Sequence, residues 1–271
     1  MTWEPKVTIL IPCRDGEKTL PATIRSLLGQ TIDTFVTVAD DASTDNTPKI
    51  LEDLSRTQRV RFVRYPRREP RNYSRVPVLI NTLLAIAPPA DYYMISGDDC
   101  IYPPDYLEKM ISLMKHDNVD LASGYHGVED FRHLTQPSGS GRLVAAPLFK
   151  RITPLPTSIG WESWMIYKTQ SLGRKTAIYP LRYEHKREYS FASTRTFGYS
   201  AYVNGVPFIF ILLRATKSLI LGIHTPLNAI SIPLGYLECM IRRPERLDSV
   251  RFVENMYKWR IRKTVAGIVD G

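Results

Sequence analysis

The stretch KVTILIPCRDGEKTLPATIRSLLG, residues 6–29, decides the fold class of this chain of 271 residues. Its first part, Lys6–Pro12, is short, apolar and rich in β-branched residues, which predicts a strand buried on both faces. Its last part, residues 20–29, repeats apolar residues at helical spacing and stops at a glycine. The stretch therefore predicts a β-strand followed directly by an α-helix.

This strand-and-helix unit repeats along the first two thirds of the chain. Helical patterns separate further predicted strands at Phe35–Val38, Val60–Tyr65, Tyr92–Ser96 and Val119–Tyr125. Such alternation predicts an α/β domain with a mostly parallel sheet flanked by helices, and a ligand crevice at the carboxyl ends of the strands. We expect this Rossmann-like domain to span residues 1–190, with a helical and basic region at 191–271. Within the first domain, the Ser-, Gly- and Pro-rich segment Leu134–Ile159 predicts a mobile substrate loop.

The composition predicts a cytoplasmic protein with an anionic partner. The three cysteines are far apart and lack the spacing of a disulfide framework or a metal site, and the N-terminal residues lack a signal-peptide pattern. The formal net charge of +9 suits a phosphorylated substrate, an acidic membrane surface or a nucleic acid. Because no nucleic-acid-reading motif accompanies the charge, nucleic acid is not an expected partner.

Two acidic clusters follow predicted strands. The first runs from Asp40 to Thr47 and combines carboxylates with hydroxyl groups, which suits hydrogen bonding to a base and ribose but is also typical of an ordinary capped turn. The second contains Asp98 and Asp99 after the apolar strand at residues 92–96. Adjacent carboxylates repel each other unless a cation compensates, so this cluster predicts a site for Mn²⁺ or Mg²⁺ that bridges a diphosphate, with a solvated turn as the alternative.

The order of these segments resembles the inverting family 2 glycosyltransferases of the GT-A fold, over Val7–Arg187. The resemblance implies an enzyme that uses a nucleotide-sugar donor, a divalent metal and a glycan or lipid-linked acceptor. In that family the first strand and its turn, here with Pro12 and Arg14, help to enclose the nucleotide. An Asp-Asp-x-Ser-x-Asp-x-Thr pattern contacts base and ribose, and here it is matched by Asp40, Asp41, Ser43, Asp45 and Thr47.

Two motifs match the family pattern only in part. Ser96 stands where the first Asp of the Asp-x-Asp motif is usual, while Asp98 matches the second Asp and becomes the expected metal and donor contact, with Asp99 beside it. Asn81 fits the Asn of an Ala-Arg-Asn run in which Ile80 replaces Arg, so Arg71 or Arg75 is expected to supply the missing charge, with a solvated loop as the alternative.

The resemblance also implies a third metal ligand and a general base. His185 corresponds to a His near the metal or diphosphate, with a lone surface His as the alternative. The charge of the nearby residues Lys186, Arg187 and Arg195 separately predicts a basic patch that holds the donor phosphates, with a merely solubilising patch as the alternative. Glu162 is the expected catalytic base, although a second register places Ser163 at the Asp position. The alternative role for Glu162 is a first-turn charge that interacts with the helix dipole.

The C-terminal third predicts helices on a membrane surface. Residues 206–240 are mostly apolar but contain prolines and polar residues that argue against a spanning helix. Basic residues follow them, from Arg242 to Lys263, as expected for contact with anionic lipids on the cytoplasmic face. A homodimer surface or a helical subdomain packed on the core are the alternatives.

Rival functions remain in other classes. Ser96 and the ambiguity at Glu162 favour a catalytically silent nucleotide-binding relative. A nucleotidyltransferase would need a glycine-rich basic loop after the first strand, which residues 14–18 match poorly. A dinucleotide-dependent oxidoreductase is disfavoured because the first turn has only one glycine.

Overall fold

The computed structural model describes residues 6–67, 69–70, 72–126, 134–186 and 190–269. The chain divides into two compact units. The first is Met1–Thr157 with Gly173–Arg187, and the second is Ser158–Leu172 with Glu188–Gly271. The segment at 158–172, which contains Glu162, is therefore grouped with the C-terminal helices.

The first unit contains the strands and five helices of the described chain. The strands are β1 Val7–Cys13, β2 Thr34–Asp40, β3 Val60–Arg64, β4 Tyr92–Ile95, β5 Cys100–Ile101, β6 Leu121–Tyr125, β7 Arg142–Ala145, β8 Thr176–Arg182 and β9 Glu184–His185. The helices of this unit are α1 Leu20–Leu28, α2 Thr47–Ser55, α3 Arg75–Ile86, α4 Tyr106–Asp117 and α5 Ala146–Ile152. The second unit contains α6 Trp161–Ser171, α7 Phe191–Val203, α8 Phe208–Ile220, α9 Pro226–Arg242 and α10 Val250–Val269.

The main sheet has seven strands in the order β3-β2-β1-β4-β7-β6-β8. The pairs from β3 to β4 and the pair of β6 with β8 are parallel, whereas β7 is antiparallel to both of its neighbours. A mostly parallel sheet flanked by helices, with C-terminal helices after it, is the predicted fold class, which is confirmed. The small antiparallel pair β5-β9 lies outside the main sheet.

Strand β1 and helix α1, which are formed by residues 7–28, lie in the core of the first unit. Strand β1 is buried along nearly its whole length, and Ile9 and Ile11 have no exposed surface. The apolar face of α1, with Leu20, Ile24 and Leu27, is equally buried in the same cluster. A central strand covered on both faces by helices favours apolar side chains along most of its length, which is the pattern in this stretch of sequence.

The segment Leu134–Ile159 was expected to be a mobile substrate loop, and this prediction is wrong for much of its length. Residues of this segment form β7, which fills the place between β4 and β6, and α5. The buried Arg142 donates hydrogen bonds to the carbonyl groups of Pro137 and Ser138, both at 3.0 Å. One guanidinium group therefore holds the backbone that precedes β7. A strand of four residues is too short for its periodicity to be recognised.

A second anchor holds the chain after α5. The side-chain amide of Asn81 donates to the carbonyl of Leu155 at 2.9 Å and accepts from its N–H at 2.8 Å. Both polar atoms of this side chain therefore satisfy one backbone residue, which fixes the segment that follows α5 to helix α3.

The second unit is a cluster of helices with its own apolar core. Val203, Ile211, Ile232 and Val253 are almost completely buried there, and α7 crosses α9 at close range. At the crossing, a Cβ atom on Gly198 would lie 1.9 Å from the carbonyl oxygen of Ile232, so only glycine fits. None of the described helices is both long and apolar enough to traverse a bilayer.

Segment 158–172 is held to the rest of the second unit through α6. Trp164 and Lys168 of this helix donate to the two carboxylate oxygens of Asp248, at 2.5 and 2.6 Å. These hydrogen bonds join α6 to the segment before α10.

Substitution of Gly198 by Ala is expected to lower the free energy of unfolding by about 2–4 kcal/mol, because the added methyl group must push two backbones apart. Chemical denaturation of Gly198→Ala measures this loss. The exposed Thr216→Ala in α8 serves as a control that should stay within about 0.5 kcal/mol of the native protein. Equal stability of Gly198→Ala and the control would contradict the close crossing.

Substitution of Asn81 by Ala is expected to lower the free energy of unfolding by about 1–3 kcal/mol, because the Leu155 N–H and carbonyl lose their partners. The exposed Asn255→Ala in α10 is a matched control for the same chemical change. A nucleotide-binding measurement on Asn81→Ala then tests its predicted donor contact separately. An unfolding curve identical to that of the native protein would contradict the anchoring of Leu155 by Asn81.

Candidate active site at the carboxyl edge of the sheet

Strand register brings the two acidic clusters to one edge of the sheet. Asp40 is the last residue of β2 and pairs with Cys13, the last residue of β1. On the other side of β1, Leu10 pairs with Ile95, and the N–H of Ser96 donates to the carbonyl of Leu10 at 3.1 Å. The residues after β4 therefore run beside the end of β1.

The turn after β1 is bonded to the turn after β2. Ser43 Oγ accepts from the N–H of Asp15 at 2.8 Å, and Thr47 Oγ1 accepts from the N–H of Gly16 at 2.8 Å. Asp45 accepts from the N–H of Glu17 at 3.1 Å. These side chains therefore shape the rim of the site, and the contacts of Ser43 and Asp45 with a donor remain predictions.

The environment of Asp45 favours its charged form. Burial raises the pKa of this carboxyl group, but hydrogen bonds from the side chain and N–H of Thr47 and from the N–H of Glu17 lower it more. The net pKa lies below the usual value of an aspartate carboxyl group, so Asp45 is an anion at neutral pH.

Asp40 is completely buried at the base of this edge. Its carboxylate accepts from the N–H of Ser43 at 3.0 Å and lies 3.3 Å from Nε of Arg64. Asp40 thus holds the turn after β2 in place, while its predicted contact with a nucleoside is not tested by this geometry. Pro12, also predicted to line the donor site, lies in β1 opposite Ala39.

Three of the predicted donor residues meet in one cluster of charges. Asp41 lies between Arg14, at 3.4 Å, and Arg75, at 2.5 Å, and all three side chains are largely buried. The guanidinium group of Arg75 also covers the ring of Tyr65 at 4.9 Å. Two arginines against one carboxylate leave a net positive charge, which suits an anionic ligand.

A pocket of about 350 Å³ opens beside Arg75. Its lining consists of Glu69, Pro70, Asn72, Ser74, Arg75, Val78 and Thr157. Arg75 is the predicted residue among them, whereas Asn81 lies six residues further along α3 and is hydrogen-bonded to Leu155. Arg71, the other arginine considered at this position, lies outside the described residues.

Asp98 lies against the turn that follows β1. The thiol of Cys13 donates to Asp98 Oδ2 at 3.3 Å, and only 4% of Asp98 is exposed. A Cβ atom on Gly16 would lie 2.6 Å from Cys13 Sγ and 3.0 Å from Asp98 Oδ2. Glycine at position 16 therefore lets the turn approach the buried carboxylate.

Asp99 faces a different neighbour, His185. Strand β9 pairs with β5 so that His185 lies opposite Cys100, and His185 Nε2 is 3.7 Å from Asp99 Oδ1. Ligand atoms of Asp99, Cys100 and His185 all lie within 4.8 Å of one another, a spacing that a metal ion could bridge. The predicted metal residues Asp99 and His185 are thus brought together, while Asp98 is directed toward β1.

The donor chemistry of this group fits a divalent metal of the predicted kind. Carboxylate oxygen and imidazole nitrogen are ligands that Mn²⁺ accepts. Burial, and then the charge of Asp99, raise the pKa of the Cys100 thiol to about 12, so its sulfur stays protonated and is a poor ligand at neutral pH. Asp99 and His185 are therefore the stronger ligands of the three.

A second histidine supports His185. The ring of His126 stacks on that of His185 with centroids 4.6 Å apart. Burial and the neighbouring His185 lower the pKa of His126 to about 4, whereas Asp99 raises it. His126 is therefore neutral at pH 7 and leaves the charge of the site to the carboxylates.

Ser96, at the position of the missing Asp, is hydrogen-bonded within the protein. Its hydroxyl is buried and exchanges a hydrogen bond of 2.9 Å with the hydroxyl of Tyr102. Tyr102 packs against Tyr106 and Tyr183, with ring centroids 4.9 and 5.0 Å apart. A serine at position 96 is thus part of a tyrosine cluster beneath the acidic turn.

The remaining predicted residues have these positions. Glu162 is exposed in the first turn of α6, in the second unit, and Gly160 precedes the helix with φ of 101°. Lys186 pairs with Glu184 at 2.7 Å, and Arg195 pairs with Glu238. Arg187 lies outside the described residues. The roles of Glu162 and of the basic patch as base and phosphate contact stay predictions.

Sequence reasoning missed Cys13, Cys100, Tyr102 and His126. The cysteines were judged to lack metal-site spacing, but Cys100 meets His185 only because β5 pairs with β9 across 85 positions of the chain. The available signal was position: Cys13 ends the first apolar strand, and Cys100 directly follows the acidic pair Asp98-Asp99. No signal along the chain links His126 to His185.

Solved structures of known glycosyltransferases share this fold. The mannosyltransferase PcManGT from Pyrobaculum calidifontis, in complex with GDP-Man and Mn²⁺, matches with a TM-score of 0.63 at 15% identity, over 96% of this chain and 81% of that one. S. aureus TarS matches with a TM-score of 0.57 at 15% identity, over 76% of this chain and 40% of that one. TarS 1–349 with UDP-GlcNAc matches with a TM-score of 0.54 at 14% identity, over 72% and 65% of the two chains.

Comparison at the level of sequence gives a family. The chain matches no curated protein sequence. Residues 8–178, more than half of the chain, match the family described as glycosyl transferase family 2. Together with the GT-A fold seen in the similar structures, this match shows that the chain belongs to glycosyl transferase family 2 and is a glycosyltransferase.

Proposed function

We propose that this protein transfers a sugar, with inversion at the reacting carbon, from a nucleoside-diphosphate sugar to a glycan or lipid-linked acceptor. The observation that carries the proposal is the meeting of two acidic turns at the ends of β1, β2 and β4, one with the arginines around Asp41 and one with Asp98, Asp99 and His185. A nucleoside-diphosphate donor needs positively charged side chains near its phosphates and a cation that neutralises them. Both would be provided at this one edge of the sheet.

The donor nucleotide would bind at the turns after β1 and β2. Arg14 and Arg75 offer positive charge, Asp41 offers a carboxylate that they orient, and the pocket beside Arg75 offers space. Pro12, Asp40, Ser43 and Asp45 would frame the base and ribose, and Asn81 would act through its anchoring of Leu155. Nucleotide sugars bound to the similar structures, GDP-Man and UDP-GlcNAc, support this donor class.

The metal, Mn²⁺ or Mg²⁺, would be held by Asp98, Asp99 and His185. When bound, such an ion neutralises charge on the departing diphosphate. The protein's own contribution is to bury both carboxylates, with Cys13 donating to one and His185 beside the other. The Mn²⁺ complex of PcManGT supports a divalent metal here.

Glu162 is the proposed general base. An inverting transfer forms the new bond on the face opposite the leaving diphosphate, while a carboxylate removes the proton of the acceptor hydroxyl. Glu162 is exposed to an incoming acceptor, and the first turn of α6 stabilises its negative charge.

The cellular setting proposed for this reaction is the cytoplasmic face of a membrane, to which the protein binds peripherally. Residues 191–271 carry eleven basic and five acidic residues, and therefore most of the formal net charge of +9. An anionic membrane surface attracts such a segment. A homodimer through the same region is the alternative partner.

A catalytically silent nucleotide-binding protein is a second candidate, and the state of Ser96 favours it. The side chain at this position bonds to Tyr102 instead of supplying a carboxylate, so the site has one acidic group fewer than the family motif. A catalytically silent protein would bind the nucleotide sugar but would not cleave it, so no free nucleotide would be released.

A screen of nucleotide-sugar donors, measuring nucleotide release with and without Mn²⁺, tests the transferase proposal. We expect metal-dependent release by the native protein and a loss of about 100-fold or more in Asp98→Asn and in Glu162→Gln. The exposed Asp53→Asn and Glu52→Gln are matched controls. Full activity in either site variant would remove that residue from its role, and binding without release in the native protein would favour the silent relative.

The arginine cluster gives a separate prediction for nucleotide affinity. Arg75→Gln is expected to weaken binding of the nucleoside diphosphate by about tenfold, since a charged hydrogen bond is lost and Asp41 loses one of its two arginines. Calorimetric titration measures the affinity, and the exposed Arg56→Gln provides the control. Equal affinity of the two variants would place the nucleotide elsewhere.

A further inference from the structure

We infer that α8 and α9 present an apolar face that binds the surface of a bilayer containing anionic phospholipids. This inference rests on the peripheral association proposed above and assigns it to particular side chains. The apolar face is defined by Ile209, Leu213 and Ile220 of α8 and by Leu227, Leu234 and Ile241 of α9. Each of these side chains is between 45% and 83% exposed.

The exposed side chains form stripes and are not scattered. Leu227, Leu234 and Ile241 recur every seven residues, so they lie on one side of α9, while Ile232 and Tyr236 are buried on another. The same division holds in α8, where Ile211 and Ala215 are buried behind the exposed stripe. Because α8 and α9 pack against each other, the two stripes belong to neighbouring helices.

Almost all exposed large apolar side chains of the described chain lie in this region. Apart from Tyr73, they belong to α8, α9, α10 or the turn between α8 and α9. Single exposed apolar residues are common on protein surfaces, but regular stripes of them on two helices that pack together indicate an interaction site.

The charges around the apolar face select an anionic partner. Glu238 is the one carboxylate in the sequence between residues 191 and 244, and it is paired with Arg195 and Arg242. Lys217 in α8 and Arg243 after α9 are exposed basic residues at the ends of the stripes. Apolar side chains flanked by basic ones are the composition of helices that lie at the boundary of lipid headgroups and acyl chains.

The same charges argue against a second copy of the chain as the partner. A symmetric dimer would place the same patch of each copy against the other, and the basic residues would then face one another with few carboxylates to pair. A bilayer surface buries the apolar stripes and attracts the basic residues at once.

Flotation with vesicles tests the inference, using phosphatidylcholine alone and phosphatidylcholine mixed with phosphatidylglycerol. The native protein is expected to float with the anionic vesicles, and Ile220→Glu/Ile241→Glu to lose about tenfold or more in partitioning. The control Ala85→Glu/Ser112→Glu adds the same charges at exposed positions of the first unit and should bind as the native protein does. Lys217→Glu/Arg243→Glu should lose the preference for phosphatidylglycerol.

The exposed Trp259 in α10 supplies a second readout. Its exposed fraction is 61%, whereas Trp161 and Trp164 are buried, so a blue shift of tryptophan emission on adding anionic vesicles should disappear in Trp259→Phe. Aromatic residues of this kind settle at the headgroup level of membranes.

Light scattering and nucleotide binding separate the alternatives. A native dimer that becomes a monomer in Ile220→Glu/Ile241→Glu, with unchanged vesicle binding, would overturn the inference in favour of a dimer surface. Nucleotide binding should be retained in this variant. Vesicle binding without any nucleotide binding in the native protein would leave the membrane surface standing and defeat the proposed transferase site instead.

Discussion

The register of three parallel strands is the constraint on which the rest of this structure depends. Cys13 at the end of β1 pairs with Asp40 at the end of β2, and the same strand carries the chain after β4 past its other side. Parallel strands joined by helical crossovers must all end at the same edge. Two acidic turns separated by more than fifty residues are therefore forced into one site.

Burial then determines what these carboxylates can do. Asp40, Asp41, Asp98 and Asp99 are each less than 5% exposed, and anions removed from water need compensating charge or hydrogen bonds. The first two find arginines, while the second two find a thiol and a histidine. Because their partners differ, the first pair of carboxylates suits a nucleotide site and the second pair suits a cation site. The two pairs lie at or after the carboxyl ends of β2 and β4, the two parallel neighbours of β1.

The two units of the chain carry different chemical groups. The first unit carries the sheet, its acidic edge and the arginines around Asp41, whereas the second carries Glu162, the exposed apolar helices and more than half of the formal net charge. A family 2 glycosyltransferase that acts on a membrane-presented acceptor would need both sets of features. The inferred lipid-binding face therefore gives the helices beyond the shared family region a role of their own.

The sequence by itself determined the strand-and-helix alternation, the position of the acidic turns and the family, because apolar periodicity and contiguous motifs are local properties. It misjudged residues 134–159, since a four-residue strand and a buried Arg142 leave no periodic signal. Only the tertiary structure decided that Cys13 bonds to Asp98 and that His126 stacks on His185. It also decided that the Ser96 hydroxyl bonds to Tyr102. Contacts between residues distant in the chain depend on strand pairing, which no local pattern encodes.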